Sequence, residues 1–161
     1  MFSILRGERM RGGGVCAMYI LQIQPEGDMV ETYTRRVMDH STDLSRDAGF
    51  ELACRPAWVE TSETLSTGVR CAAYRVENNV YTPSSFYVHR TTSLVQTPLR
   101  MTSHTLHVFH RGTVRVKVNN LSDSAVKVGH KRLFQICMPD LKPFRVELVT
   151  TLGGYNPGGA S

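Results

Sequence analysis

The chain has 161 residues, 41% hydrophobic and 20% charged, which suits one domain with its own core and leaves too little for two. No apolar run reaches the ~18 residues of a membrane helix, so a helical span and a membrane partner are excluded. A net charge of +5 permits polyanionic partners, but the Lys and Arg residues are scattered along the sequence, which favours a solvated surface over a nucleic-acid footprint.

Residues 1–17 read as a flexible basic extension, broken by Gly12, Gly13 and Gly14. Its apolar piece follows those glycines and is too short for a signal sequence, so an intracellular, non-secreted protein is expected. Met18 is a second candidate start, because the patterned sequence begins there. "MYILQIQ" alternates as a strand. In "PEGDMVETYTRRVMDHS" the apolar residues Met29, Val30, Tyr33, Val37 and Met38 recur with a helical period, which predicts the chain's one short helix. From Ala48 onward short apolar runs recur between turn residues: "GFELACR", "WVETSETLSTGVRCAAYRV", "SSFYVHRT", "HTLHVFH", "TVRVKVNNLSD", "AVKVGHKRLFQICMPD" and "FRVELVT". Their 8–12-residue spacing predicts an all-β domain over residues 18–152, as a sandwich, jelly roll or barrel. In "TVRVKVNNLSD" Val114, Val116 and Val118 point one way, Arg115 and Lys117 the other, and Asn119 to Asp123 form a turn. Trp58, the single tryptophan, is expected in the core or an interface. The Gly-rich tail, residues 153–161, cannot hold regular structure alone.

Cys16, Cys54, Cys71 and Cys137 are far apart, with no C-x-x-C pair and no clustered histidine. This argues against zinc and for free, mostly buried thiols.

The order of the pieces resembles the trimeric dUTPases. "DAGFEL" (Asp47 to Leu52) is similar to the family's first motif, and "STGVRC" (Ser66 to Cys71) to the strand after it. "HRTTSLVQTPLRM" (His89 to Met101) resembles the second motif with a continuation seen in some viral and protist members. "VKVGHKRLFQICMPDLKPFRVELV" (Val126 to Val149) resembles the fourth motif and the following strand, and "GGYNPGG" (Gly153 to Gly159) the Gly-rich fifth. The match runs in order over residues 18–159, in the manner of the larger viral members.

This resemblance implies a homotrimer of jelly-roll-like subunits that hydrolyses dUTP to dUMP and pyrophosphate with Mg²⁺. A third-motif Asp would activate water and a neighbouring Tyr would pack on the sugar. Carried onto this chain, Arg90, Thr92, Ser93, Arg111 and Gln135 would contact nucleotide. Tyr155 would stack on uracil from a neighbour's tail, and Glu51 would reach metal through water. A gapless count from "TPLR" places Thr91 rather than Arg90 at the family's Arg position.

The third motif departs from the pattern. His107 stands where the Asp is expected and His110 where the Tyr is, and no Asp or Glu lies between Arg100 and Asp123. The fifth motif has Pro157 and Gly158 in place of a Ser-Thr pair. The expected function is therefore a dUTPase-like protein that has lost efficient hydrolysis and serves as a structural or interaction subunit, self-associated or within an assembly such as a virion. The alternative is an active, divergent Mg²⁺-dependent dUTP diphosphatase with His107 as its base.

Overall fold

The structure, a computed structural model, describes residues 18–42, 48–129 and 131–153. Two sheets face each other across one core. The larger takes the order β12 (Arg145–Leu148), β1 (Met18–Pro25), β4 (Ser62–Glu77), β9 (Thr113–Asn120), β7 (Leu99–Arg100), with β5 (Val80–Ser84) also on β4. The smaller runs β2 (Gly49–Leu52), β11 (Phe134–Cys137), β6 (Phe86–Arg90), β8 (His104–Leu106). A two-stranded ribbon joins β3 (Ala57–Val59) to β10 (Val126–Val128). All the pairings are antiparallel except β1 with β12.

Period-two alternation builds the core. Val114, Val116 and Val118 of β9, with Leu21, Ile23 and Cys71 from its sheet, meet Phe50, Leu52, Phe86, Val88, Phe134 and Ile136 of the other. Burial of each such side chain stabilises by about 1.5–3 kcal/mol before ordering costs. Cys54, Cys71 and Cys137 are buried free thiols, as expected, while Cys16 lies outside the described residues. Burial pushes the Cys54 thiol up to about 12, so it stays neutral at ordinary pH.

A β-bulge between Ser66 and Arg70 bends β4 beneath helix α1 (Val30–Thr42). Gly68 is required there twice over. Its φ of +70° suits glycine, and a Cβ would come 2.6 Å from Met29 Cγ. The carbonyl of Thr67, freed by the bulge, accepts a hydrogen bond from Tyr33 Oη at 2.6 Å.

Helix α1 follows a 3-10 turn (Gly27–Met29) and lies where the sequence places it. Its buried stripe differs from the expected one. Met29, Tyr33, Arg36 and His40 face inward, whereas Val30 and Met38 are 43% and 62% exposed. A second, one-turn helix, α2 (Thr92–Val95), interrupts the chain between β6 and β7. The run "HTLHVFH" is strand only as far as Leu106; His107 to His110 close a turn, with the His110 N–H donating to His107 C=O at 2.9 Å. Trp58 is neither core nor covered in the single chain: it is 59% exposed, with Lys127 Nζ 5.9 Å from the ring centroid.

Candidate functional site

A cleft of about 520 Å³ opens between α1 and the β2–β11 edge of the smaller sheet. The β2–β11 register sets Glu51 opposite Gln135 and Gly49 opposite Cys137, so all four positions share the sheet face turned away from the core. Gly49 is needed for closeness: a Cβ there would collide with Gln135 Oε1. That space lets the Gln135 amide lie flat across β2, and its Nε2 donates to the Arg90 carbonyl at 3.2 Å.

The cleft's charges come from three elements. Arg132, in the turn before β11, donates from Nη1 to Glu51 Oε1 at 2.8 Å and lies 3.8 Å from Asp39 of α1. Arg36 reaches from α1 with only 9% exposure and donates from Nη1 to the Glu51 carbonyl at 3.0 Å. Burial, and then the positive charge of Arg132, pushes its guanidinium below the ordinary range. Arginine nevertheless stays protonated, so the cleft holds two adjacent cations beside Glu51 and Asp39. His40 closes the far end. Its Nε2 must carry the proton, because its partner 2.9 Å away is the Phe144 carbonyl. The ring also meets Phe50 edge-on at 5.7 Å.

The structure brings two of the expected residues together: Glu51 and Gln135 meet in this cleft, joined there by Arg132. Arg90 touches it through its backbone, while its side chain lines a separate cleft of about 180 Å³ with Leu94 and Arg100. Thr92 and Ser93 are exposed in α2, and the neighbouring Thr91 is buried, its N–H donating to the Leu133 carbonyl at 3.0 Å. Arg111 folds onto its own turn, donating to the carbonyls of Val108 and His110 at 2.8 and 2.9 Å. His107 is exposed, and its Nδ1 accepts the Phe109 N–H at 3.3 Å. Tyr155 lies outside the described residues.

Arg36, Asp39 and His40 were not singled out from the sequence. The available signal was the inward stripe itself: stepping from Met29 through Tyr33 by three and four residues lands on Arg36 and His40. The donor set does not make a resident divalent-cation site. The Glu51 carboxylate is spent on Arg132, and no group of three or more His, Cys, Asp or Glu side chains is placed for a metal among the described residues.

No protein-family model matches the sequence, and no curated protein does. Among solved structures, the chain is similar to the EIAV dUTPase at 18% identity, covering 76% of this chain and 86% of that one, with a TM-score of 0.45. It is similar to a mutant dUTPase of Staphylococcus bacteriophage 80alpha at 10% identity, 67% and 84% coverage and a TM-score of 0.48. A mutant dUTPase from phage phi11 of S. aureus, described with a structural Mg(II) ion, gives 10% identity, 69% and 86% coverage and a TM-score of 0.47.

Proposed function

We propose that this is a dUTPase-like nucleotide-binding protein in which hydrolysis is absent or very slow, acting as a homotrimeric binding or assembly subunit. The observation that carries the reading is the turn His107–Arg111. By the order of the resembling motifs it corresponds to the family's water-activating motif, yet residues 101–122 contain no carboxylate. The imidazole that stands in for one is exposed and already accepts a backbone N–H. Loss of a positioned base commonly lowers a rate by ~10²–10⁴-fold. Glu51, held by Arg132, is not free to serve instead.

Residual binding fits the same picture. Gln135 and Arg132 in the cleft offer donors to phosphate, and Arg90, Thr92, Ser93, Arg111 and Tyr155 would join them in the assembled oligomer. Charge-assisted contacts contribute ~1.5–3 kcal/mol each. Two of them give an affinity near the millimolar scale, about −4 kcal/mol.

A pyrophosphate-release assay with dUTP and Mg²⁺ tests hydrolysis, and calorimetry with a non-hydrolysable dUTP analogue tests binding. The expected result is no turnover above background with millimolar binding. Turnover in the ordinary enzymatic range, abolished by His107→Ala, would establish the active reading instead.

A further inference from the structure

We propose that the outer face of the larger sheet binds the phosphodiester backbone of single-stranded nucleic acid. The cations that look scattered in sequence are gathered there by strand register. Because Val114, Val116 and Val118 point into the core, Thr113, Arg115, Lys117 and Asn119 of β9 point outward. Arg70 of β4 pairs beside Thr113, and Arg100 of β7 pairs beside Asn119. Arg70, Arg115, Lys117 and Arg100 thus occupy four successive outward rungs, crossing from β4 over β9 to β7.

Alternate residues of a strand are ~6.8 Å apart, so the row extends ~20 Å. This step is close to the distance between consecutive phosphates along one nucleic-acid strand. All four side chains are exposed. Among the described residues Arg70, Arg115 and Lys117 make no ion pair, and Arg100 uses Nη1 on its own turn, at the carbonyls of Thr97 and Leu99. Ser62, Thr64 and Ser66 lie opposite Asn119, Lys117 and Arg115 and add hydroxyl donors along the row. Among the described residues, Glu147 and Glu26 are carboxylates near this face with cationic partners of their own. Glu147 is held by Arg145 at 3.0 Å, and Glu26, which reaches Thr113, is held by Arg55.

An arrangement that serves only solubility has no reason to align like charges on neighbouring rungs, where they repel. A polyanion removes that repulsion. The row is single, which fits one backbone; a duplex presents two across a groove. Among the described residues no exposed aromatic ring stands between these cations to stack on bases, so binding rests on phosphate contacts and is indifferent to sequence.

The test is fluorescence anisotropy of the full chain with a labelled oligothymidylate long enough to span the row. Four neutralised phosphates on a single strand predict about fifty-fold weaker binding on going from about 50 to 200 mM salt. Arg115→Thr with Lys117→Thr keeps β-forming residues and halves the row, so the same salt change should cost about seven-fold. Urea unfolding checks that this variant folds, and Arg70→Gln with Arg100→Gln gives an independent second reading. Unchanged affinity in the folded variants would overturn the proposal. So would salt-independent binding, equal or tighter binding of a duplex, or displacement by polyglutamate at equal charge, which would point to an acidic protein partner.

Discussion

Tyr33 shows how one side chain joins the helix to both sheets. It is fully buried; its hydroxyl donates to the Thr67 carbonyl at 2.6 Å and accepts the Ala53 N–H at 3.0 Å. Burial raises its pKa well above the usual phenol range, so the hydroxyl remains a donor at all ordinary pH. Tyr33→Phe keeps the ring and removes the oxygen, leaving a buried N–H and a bulge carbonyl without their partner. The expected loss is about 1–3 kcal/mol in urea unfolding. A change within experimental error would mean that those two groups find other partners. The inward position of Tyr33 was legible from the helical period, because apolar spacing reports burial. Arg36 and His40 were not, because the same stripe continues into a polar cleft where a guanidinium and an imidazole find carbonyls.

Between elements, a cluster around Arg55 ties two loops and a strand together. The guanidinium is bound by Glu26 and Asp28, which flank the entry to α1, and Glu26 also accepts from Thr113 Oγ1 at 2.7 Å. The Thr113 hydroxyl and then Arg55 hold the Glu26 carboxyl below its usual value of 4.5, and Arg55 does the same for Asp28 below 3.8. Folded-state values lower than unfolded ones place the stabilisation above those usual values, and it is lost as pH falls through the lower, folded ones. Wild-type stability should therefore decline below about pH 4.5, and Arg55→Ala should flatten that decline when unfolding is followed from neutral pH downward. An identical slope in the variant would remove Arg55 as the cause. Other elements were legible to different degrees for equally local reasons. The β4–β5 hairpin turns on Asn78 and Asn79, both with positive φ, a two-residue signal present in the sequence but not used there. "HVFH" looks like a strand by alternation, but His107 and Phe109 have no sheet face to cover and their rings meet each other at 5.5 Å.

At the scale of the whole molecule, alternation and motif order were enough for the all-β architecture, since a two-sided core leaves few ways to place these strands. The site was legible only in part, because the sequence shows which motifs exist and not which of them one chain folds together. Glu51 and Gln135 meet through strand pairing, whereas Arg111 and His107 stand on a turn that touches neither. If the proposed homotrimer forms, a second copy would supply the residues that one chain keeps apart. The surface for that contact is constrained by charge. The row Arg70, Arg115, Lys117 and Arg100 opposes its own copy, so apolar groups elsewhere must supply the association. Phe109, at the tip of the His107–His110 turn and 73% exposed, is the strongest candidate, with Leu121 at 68%. Phe109→Ser should shift the mass measured by light scattering at micromolar concentration from trimer toward monomer. The urea midpoint extrapolated to low protein concentration should stay unchanged, because the ring contributes little to the isolated fold. A wild-type chain that is monomeric at that concentration would overturn the trimer, and a variant that remains trimeric would move the contact away from this turn.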